Sequence, residues 1–350
     1  MSSSSSAAKT EGSPLVEKSS EAEGPNKFAT FAAIFSLIAI AVTKVQLTSI
    51  LFSTSGFPTA YSFYSAIVTD VMLIPAFLIW PSQWGIPTKE MFLGPHYALT
   101  LIIVFTTFDL AFTNIALNSI SISLQQCIAA TNPFWTILIE TAITRKMQHP
   151  IVYGSVFGLV IGAALATVGD VKGFDAGGVI AACVAVLCSA SKYAFTHAAF
   201  KQFKSQLGAL SLLFWVDLLM LPIFIPWVLI SGELVDLLES GMSAGAWWQF
   251  TGTAALGGVR ALTQYLVLKL VTATSMSTAN IFTMVLNIIL NFIIPHEHVP
   301  EPSATLFMGI GLVVFFSALY TWFKADKNAC FGIMNTKKAD DPQSEPLAKA

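Results

Sequence analysis

Ten apolar runs divide the chain, at 28–52, 59–80, 97–118, 121–144, 151–170, 177–200, 207–231, 247–269, 274–295 and 304–323. A helix rises 1.5 Å per residue, so a run near 20 residues crosses about 30 Å of hydrocarbon. The pattern predicts an all-α polytopic membrane protein with ten transmembrane helices. Glycine and proline inside several runs do not count against this, because membrane helices tolerate both. Around Asn118-Ser119 only two or three residues remain for a turn, so the third and fourth runs form a tight hairpin. The flanks, 1–27 and 324–350, are polar and predict disordered tails.

Charge between the runs supplies an orientation. Ten crossings put both tails on one side. That side holds Lys9, Lys18, Lys27, Lys89, Arg145, Lys146, Lys201, Lys204, Lys269, Lys324, Lys327, Lys337, Lys338 and Lys349, whereas the other side keeps Lys172 alone. Lysine and arginine concentrate on the cytosolic side of membrane proteins, so both tails are expected in the cytosol. Five runs per half give the halves opposite orientations, which predicts two inverted five-helix repeats, 28–170 and 177–323. "NIALNSISIS" (114–123) and "YLVLKLVTAT" (265–274) end the third run of each half in a similar way.

Composition agrees with this class. The chain is 55% hydrophobic and 11% charged, where soluble domains carry about 25% charged residues. Its net charge of −2 says nothing of partners, and no basic patch suggests nucleic acid as one. The N-terminus lacks the apolar core of a secretory signal. Cys127, Cys183 and Cys188 fall inside apolar runs and read as small buried hydrophobes. No catalytic constellation occurs, so the chain is not expected to be an enzyme, and no cofactor or metal is expected. His296-Glu297-His298 reads as a solvated loop.

Candidate chemistry lies inside the membrane, where polar groups are costly and face the bundle interior. On the fourth run Gln125, Ala129, Asn132 and Thr136 follow helical spacing, with Gln126, Ala130 and Pro133 beside them. This stripe suits a cavity wall, although interhelical hydrogen bonding would use the same residues. The sixth run carries Ser189, Lys192, Tyr193 and Thr196, with His197 one turn from Tyr193. Lys192 either pairs with an acid or receives an anion. Lys44 lies in the first run; Arg260, Gln264 and Tyr265 lie in the eighth. Arginine grips a phosphate or carboxylate with two parallel bonds, whereas lysine acts as a point charge. Asn280, Asn287 and Asn291 align on the ninth run and suit sugar hydroxyls or helix packing equally. The acids within the runs are Asp70, Asp109, Glu140 and Asp217; ion pairing is expected for at least two of them.

"TKVQLTSILFSTSGFP" (43–58), "ALNSISISLQQCIAATNPFWTILIE" (116–140) and "SALYTWFK" (317–324) carry a resemblance. The chain resembles the drug/metabolite transporter superfamily, in its triose-phosphate and nucleotide-sugar translocator branch, over nearly all of 28–323. The resemblance implies a ten-helix exchanger with a central site between inverted halves. Such carriers swap a phosphorylated sugar or nucleotide-sugar for phosphate or a nucleotide monophosphate. Lys44 matches the branch's first-helix lysine and Lys192 a frequent basic position, while His197 stands where plastid members often carry lysine. Thr283 and Met284 occupy the place of the plastid members' Lys-Arg phosphate grip, and Ala129 that of a further basic residue. The GDP-mannose carrier motif is absent.

The expectation is therefore an alternating-access exchanger of an organic anion, a nucleotide-sugar or sugar phosphate. Lys44, Lys192 and Arg260 would supply positive potential; Gln126, Asn132, Tyr193, Tyr265, Asn280 and Asn287 would read the neutral part. A proton-coupled carrier of a cationic or neutral metabolite and a membrane scaffold are the alternatives. The expected surroundings are a lipid bilayer of the Golgi or endoplasmic reticulum, and a homodimer is left open.

Overall fold

A computed structural model describes residues 27–93, 97–144, 150–169, 175–202, 207–271, 273–293 and 303–325. The predicted tails beyond Lys27 and Ala325, the His296-Glu297-His298 loop and the loop cations Arg145, Lys146, Lys172 and Lys204 lie outside these residues. The described residues are helical, with no strand among them. The long helices are α1 (Lys27–Ser55), α2 (Pro58–Ile79), α4 (Ala98–Ser119), α7 (Pro150–Gly169), α8 (Ala176–Gln202), α9 (Ala209–Ser231), α11 (Ala244–Leu270), α12 (Ala273–Ile293) and α13 (Ala304–Ala325). Shorter helices are α3 (Lys89–Leu93), α5 (Ile122–Ala129), α6 (Asn132–Thr144) and α10 (Glu233–Glu239). Among the described residues five helices, α1, α2, α4, α8 and α9, are long and apolar enough to cross a membrane, and α7, α12 and α13 contain shorter apolar stretches.

The fourth apolar run corrects the sequence reading of one continuous helix. It is broken into α5 and α6 around Ala130-Thr131. Pro133 is the cause: it has no N–H to donate to the carbonyl of Ala129, four residues back, so the helical ladder cannot run through it. Thr131 N–H instead closes a tighter turn onto Ile128 C=O at 3.0 Å. Pro133 then sits in the first turn of α6, where a missing N–H costs nothing. The tight hairpin before this segment is present. Only Ile120 and Ser121 separate α4 from α5, and the Ser121 hydroxyl caps α5 by accepting from Leu124 N–H at 3.2 Å.

Helix pairing builds a bundle around the middle of α1, α4, α8 and α11. α4 runs along α8 and α1 along α11, the first pair more extensively; α2 packs on α9 and α7 on α13. The α7–α13 pair is close because Gly162 faces the α13 backbone. A Cβ there would fall 2.9 Å from Val313 N. Small residues permit such approach where lipid supplies no hydrophobic drive between helices. One end of the bundle is sealed by aromatic packing. Tyr61 lies edge-on to Phe52 and Phe250, with ring centroids 5.3 and 5.2 Å away, and Val228, Leu117 and Ile122 complete the plug.

Candidate functional site

Midway along the bundle the packing opens into a cavity of about 170 Å³. Most of its polar wall comes from α1, α4, α5, α8, α11 and α12. Of the residues the sequence singled out, Lys44, Gln126, Asn132, Lys192, Tyr193, Arg260 and Asn280 line it. Tyr265 and Asn287 do not. Tyr265 follows Gln264 by one residue, about 100° round the helix. It therefore turns from the wall into the apolar core, edge-on to Phe200 at 6.4 Å. Asn287 lies one turn beyond Thr283, among side chains of the sealed end. There it accepts from Gln46 Nε2 at 3.3 Å and donates to Gln126 Oε1 at 3.3 Å.

The cations differ in what they already hold. Lys192 Nζ donates to Asp109 Oδ2, an ion pair joining α8 to α4. Lys44 is buried at 3% exposure and has no acid partner among the described residues. Its ammonium lies 3.5 Å from Asn114 Oδ1 and 5.8 Å from the centre of the Tyr61 ring, a cation–π distance. Asn114 is fixed in turn by donating to Ser62 Oγ at 2.7 Å. Arg260 forms no ion pair with the described residues, and its Nε is buried without a hydrogen-bond partner. A buried donor without a partner is costly unless something else supplies an acceptor.

Amides and hydroxyls form the remaining wall. Asn280 donates to the Tyr193 hydroxyl at 2.9 Å, holding α12 to α8. Gln126 donates to Gln125. Asn132 accepts from Thr136 Oγ1 at 3.0 Å on the α6 side of the helix break. Sequence reasoning missed Ser65 and Thr69 on α2 and Thr106 and Thr113 on α4, which also line the cavity. Thr69 bonds back to Ser65 C=O at 2.8 Å. Hydroxyls that bond back to their own helix are common in apolar helices, so only a spacing of four marked Ser65 and Thr69, and a spacing of seven Thr106 and Thr113. α2 reaches the cavity because α11 presents Gly258 to Thr69; a Cβ would meet Thr69 Oγ1 at 2.8 Å.

The cavity lies inside an apolar bundle and is walled by arginine, lysine and amides from six helices. A model of the triose-phosphate transporter family matches residues 30–321. The chain belongs to this family. It is a transporter and not an enzyme, it sits in a membrane, and its substrates are small molecules. One solved crystal structure superposes with a TM-score of 0.56 at 15% identity, covering 85% of this chain and 98% of its own. At that identity the likeness shows the fold alone. Among family members, then, this one places its cavity cations on α1, α8 and α11, while α12 contributes Asn280, Thr283 and Met284.

Proposed function

We propose that the protein is an alternating-access exchanger for an organic anion the size of a phosphorylated sugar, taken against inorganic phosphate or a nucleotide monophosphate. The single observation that carries this is the Arg260 guanidinium on the cavity wall without an acid partner among the described residues, with Lys44 beside it in the same state. In a low-dielectric chamber two uncompensated cations call for an anion. The forked donors of arginine match a phosphoryl group. The neutral part of the substrate would meet Gln126, Asn132, Tyr193 and Asn280. Tyr265 and Asn287 would act from behind the wall, Asn287 by orienting Gln126. Volume favours the smaller cargo: about 170 Å³ falls below the ~300–1,000 Å³ of drug-sized pockets. Unpaired positive charge also disfavours a cationic metabolite, and a cavity with polar side chains from several helices on its wall disfavours a scaffold role.

Ten transmembrane helices in two inverted five-helix repeats, with both tails cytosolic in a Golgi or endoplasmic reticulum membrane, are part of the same reading. The helix pairing supports the repeat. Counting α5 and α6 as one span, a two-fold relation exchanges the α4–α8 pair with the α1–α11 pair and maps α2–α9 and α7–α13 onto themselves. α4–α8 is more extensive than α1–α11, and rocking of the halves would interchange the two.

The test is exchange by purified protein in liposomes loaded with phosphate or uridine monophosphate. Labelled phosphate, glucose 6-phosphate and UDP-glucose are offered outside. Glucose 6-phosphate exchanged well above UDP-glucose supports the reading. The reverse preference moves the cargo to nucleotide-sugars. Failure of all three, against protein-free liposomes, rejects it.

A further inference from the structure

Anion binding at Lys44 and Arg260 leaves two buried acids unused. Asp217 on α9 lines the same cavity at 4% exposure, and no donor among the described residues hydrogen-bonds its carboxyl. Asp70 on α2 lies behind the wall, one residue past the cavity-lining Thr69, at 7% exposure. Both of its oxygens are buried without a hydrogen-bond partner. α2 and α9 pack together, and each acid lies within electrostatic reach of the other.

The surroundings do not neutralise this pair. α8 contributes Lys192, which lies within electrostatic reach of Asp217 but already donates to Asp109 of α4. α11 contributes Tyr265, which lies within reach of Asp217, and Arg260 elsewhere on the cavity wall. The Glu233 carboxylate of α10 accepts from Thr59 and Ala60 N–H at the start of α2 instead. The segment that pins the other end of α9, residues 80–88, has no ionisable side chain. An isolated carboxylate out of water is very costly, and a second negative charge within electrostatic reach adds to that cost. A phosphate arriving at Arg260 in the same chamber adds further negative charge.

We infer that Asp217, backed by Asp70, is a proton-binding site whose occupancy is linked to that of the anion site. This deepens the exchanger reading and rests on it. When the anion enters, a proton from the aqueous phase on the open side binds a carboxylate oxygen of Asp217. The proton leaves to water when the anion departs. No bond other than that O–H forms or breaks, and nothing is oxidised or reduced.

The test has two arms. In the first, inorganic phosphate or glucose 6-phosphate is added to weakly buffered, detergent-purified protein with a pH indicator. Comparison with Asp217→Asn separates the site's proton from the probe's own. The wild type takes up close to one proton more per bound anion than Asp217→Asn, and Asp217→Glu restores the uptake. In liposomes, phosphate exchange by the wild type falls about tenfold per pH unit on the alkaline side of the transition, for one required proton. That slope is shallow in Asp217→Asn, whatever its absolute rate. Equal proton uptake and equal slopes in wild type and Asp217→Asn overturn the proposal. The second arm needs no ligand. Without anion the pair shares one proton, and the anion brings the second, so the infrared carbonyl band of a protonated, buried carboxyl is present in the ligand-free wild type and lost or reduced in Asp217→Asn and Asp70→Asn. Its absence from the wild type across the neutral range overturns the proposal even if neither probe is carried. Failure of both probes with the band present rejects the substrate reading and leaves the proton site standing.

Discussion

Lys192 on α8 donates to Asp109 on α4, two helices whose packing is among the most extensive in the bundle. The pair removes one of the three cavity cations from the count available to a ligand. Breaking a buried pair by removing one partner leaves an uncompensated charge, at about 3–5 kcal/mol, whereas replacing both partners by apolar residues is often neutral. Lys192→Met and Asp109→Leu are therefore each expected to lower the midpoint of thermal unfolding in detergent, and the double variant to recover most of the loss. Additive losses in the double variant would mean that the two side chains do not act as a pair.

Arg260 has the opposite character, since no acid in the described structure uses it. Arg260→Ala is expected to leave folding near wild type and to raise the half-saturation concentration for phosphate or glucose 6-phosphate. A hydrogen bond to a charged group is worth roughly 1.5–3 kcal/mol, or about tenfold to a hundredfold in affinity. Arg260→Lys should recover part of this, keeping the charge and losing the fork. Unchanged half-saturation in Arg260→Ala would remove the guanidinium from the anion site.

Much of the fold was legible because a bilayer imposes length and apolarity on each crossing. The ten apolar runs coincide with helices to within a few residues at their ends, α5 and α6 sharing one run. The inward direction of Lys44, Lys192 and Arg260 was legible for the same reason. Partners were not. Lys192 had Asp70, Asp109, Glu140 and Asp217 as candidates, and only the register between α4 and α8 selects Asp109. The break at Ala130-Thr131 was hidden because a proline inside a membrane helix is as compatible with a kink as with a new start. Tyr265 was misdirected by its neighbour: Gln264 points into the cavity, and one further residue turns the side chain into the core.

The contact between Gly258 and Thr69 makes a steric prediction. With Thr69 Oγ1 only 2.8 Å from the position of an added Cβ, Gly258→Ala is expected to push α11 away from α2. Overpacking of this kind costs about 1–3 kcal/mol. Thr69→Ala removes the nearest atom, so the double variant should regain stability relative to Gly258→Ala alone. The check is the thermal midpoint of the four proteins in one detergent. A double variant no better than Gly258→Ala would place the strain elsewhere.

The sealed end of the bundle carries a latch. Glu233 Oε2 accepts from Thr59 N–H at 2.6 Å and Ala60 N–H at 2.9 Å, so α10 grips the first turn of α2. Those N–H groups have no partner within their own helix, and the positive end of the helix favours the carboxylate. Just inside, Ser62 is fully buried and holds Asn114, which in turn meets Lys44. If the halves rock about the cavity, this latch must release whenever the sealed end opens. Two charge-assisted bonds at roughly 1.5–3 kcal/mol each are enough to set that equilibrium. Glu233→Ala should therefore raise the fraction of protein open at this end by tenfold or more. Ser62→Cys supplies the probe, because a membrane-impermeant maleimide reaches it only after the aromatic plug parts. Labelling from the side opposite the tails should accelerate by that factor when Glu233→Ala is added to Ser62→Cys. Equal labelling rates in the two proteins would mean that the seal is held by Tyr61, Phe52 and Phe250 alone, and that opening does not depend on α10.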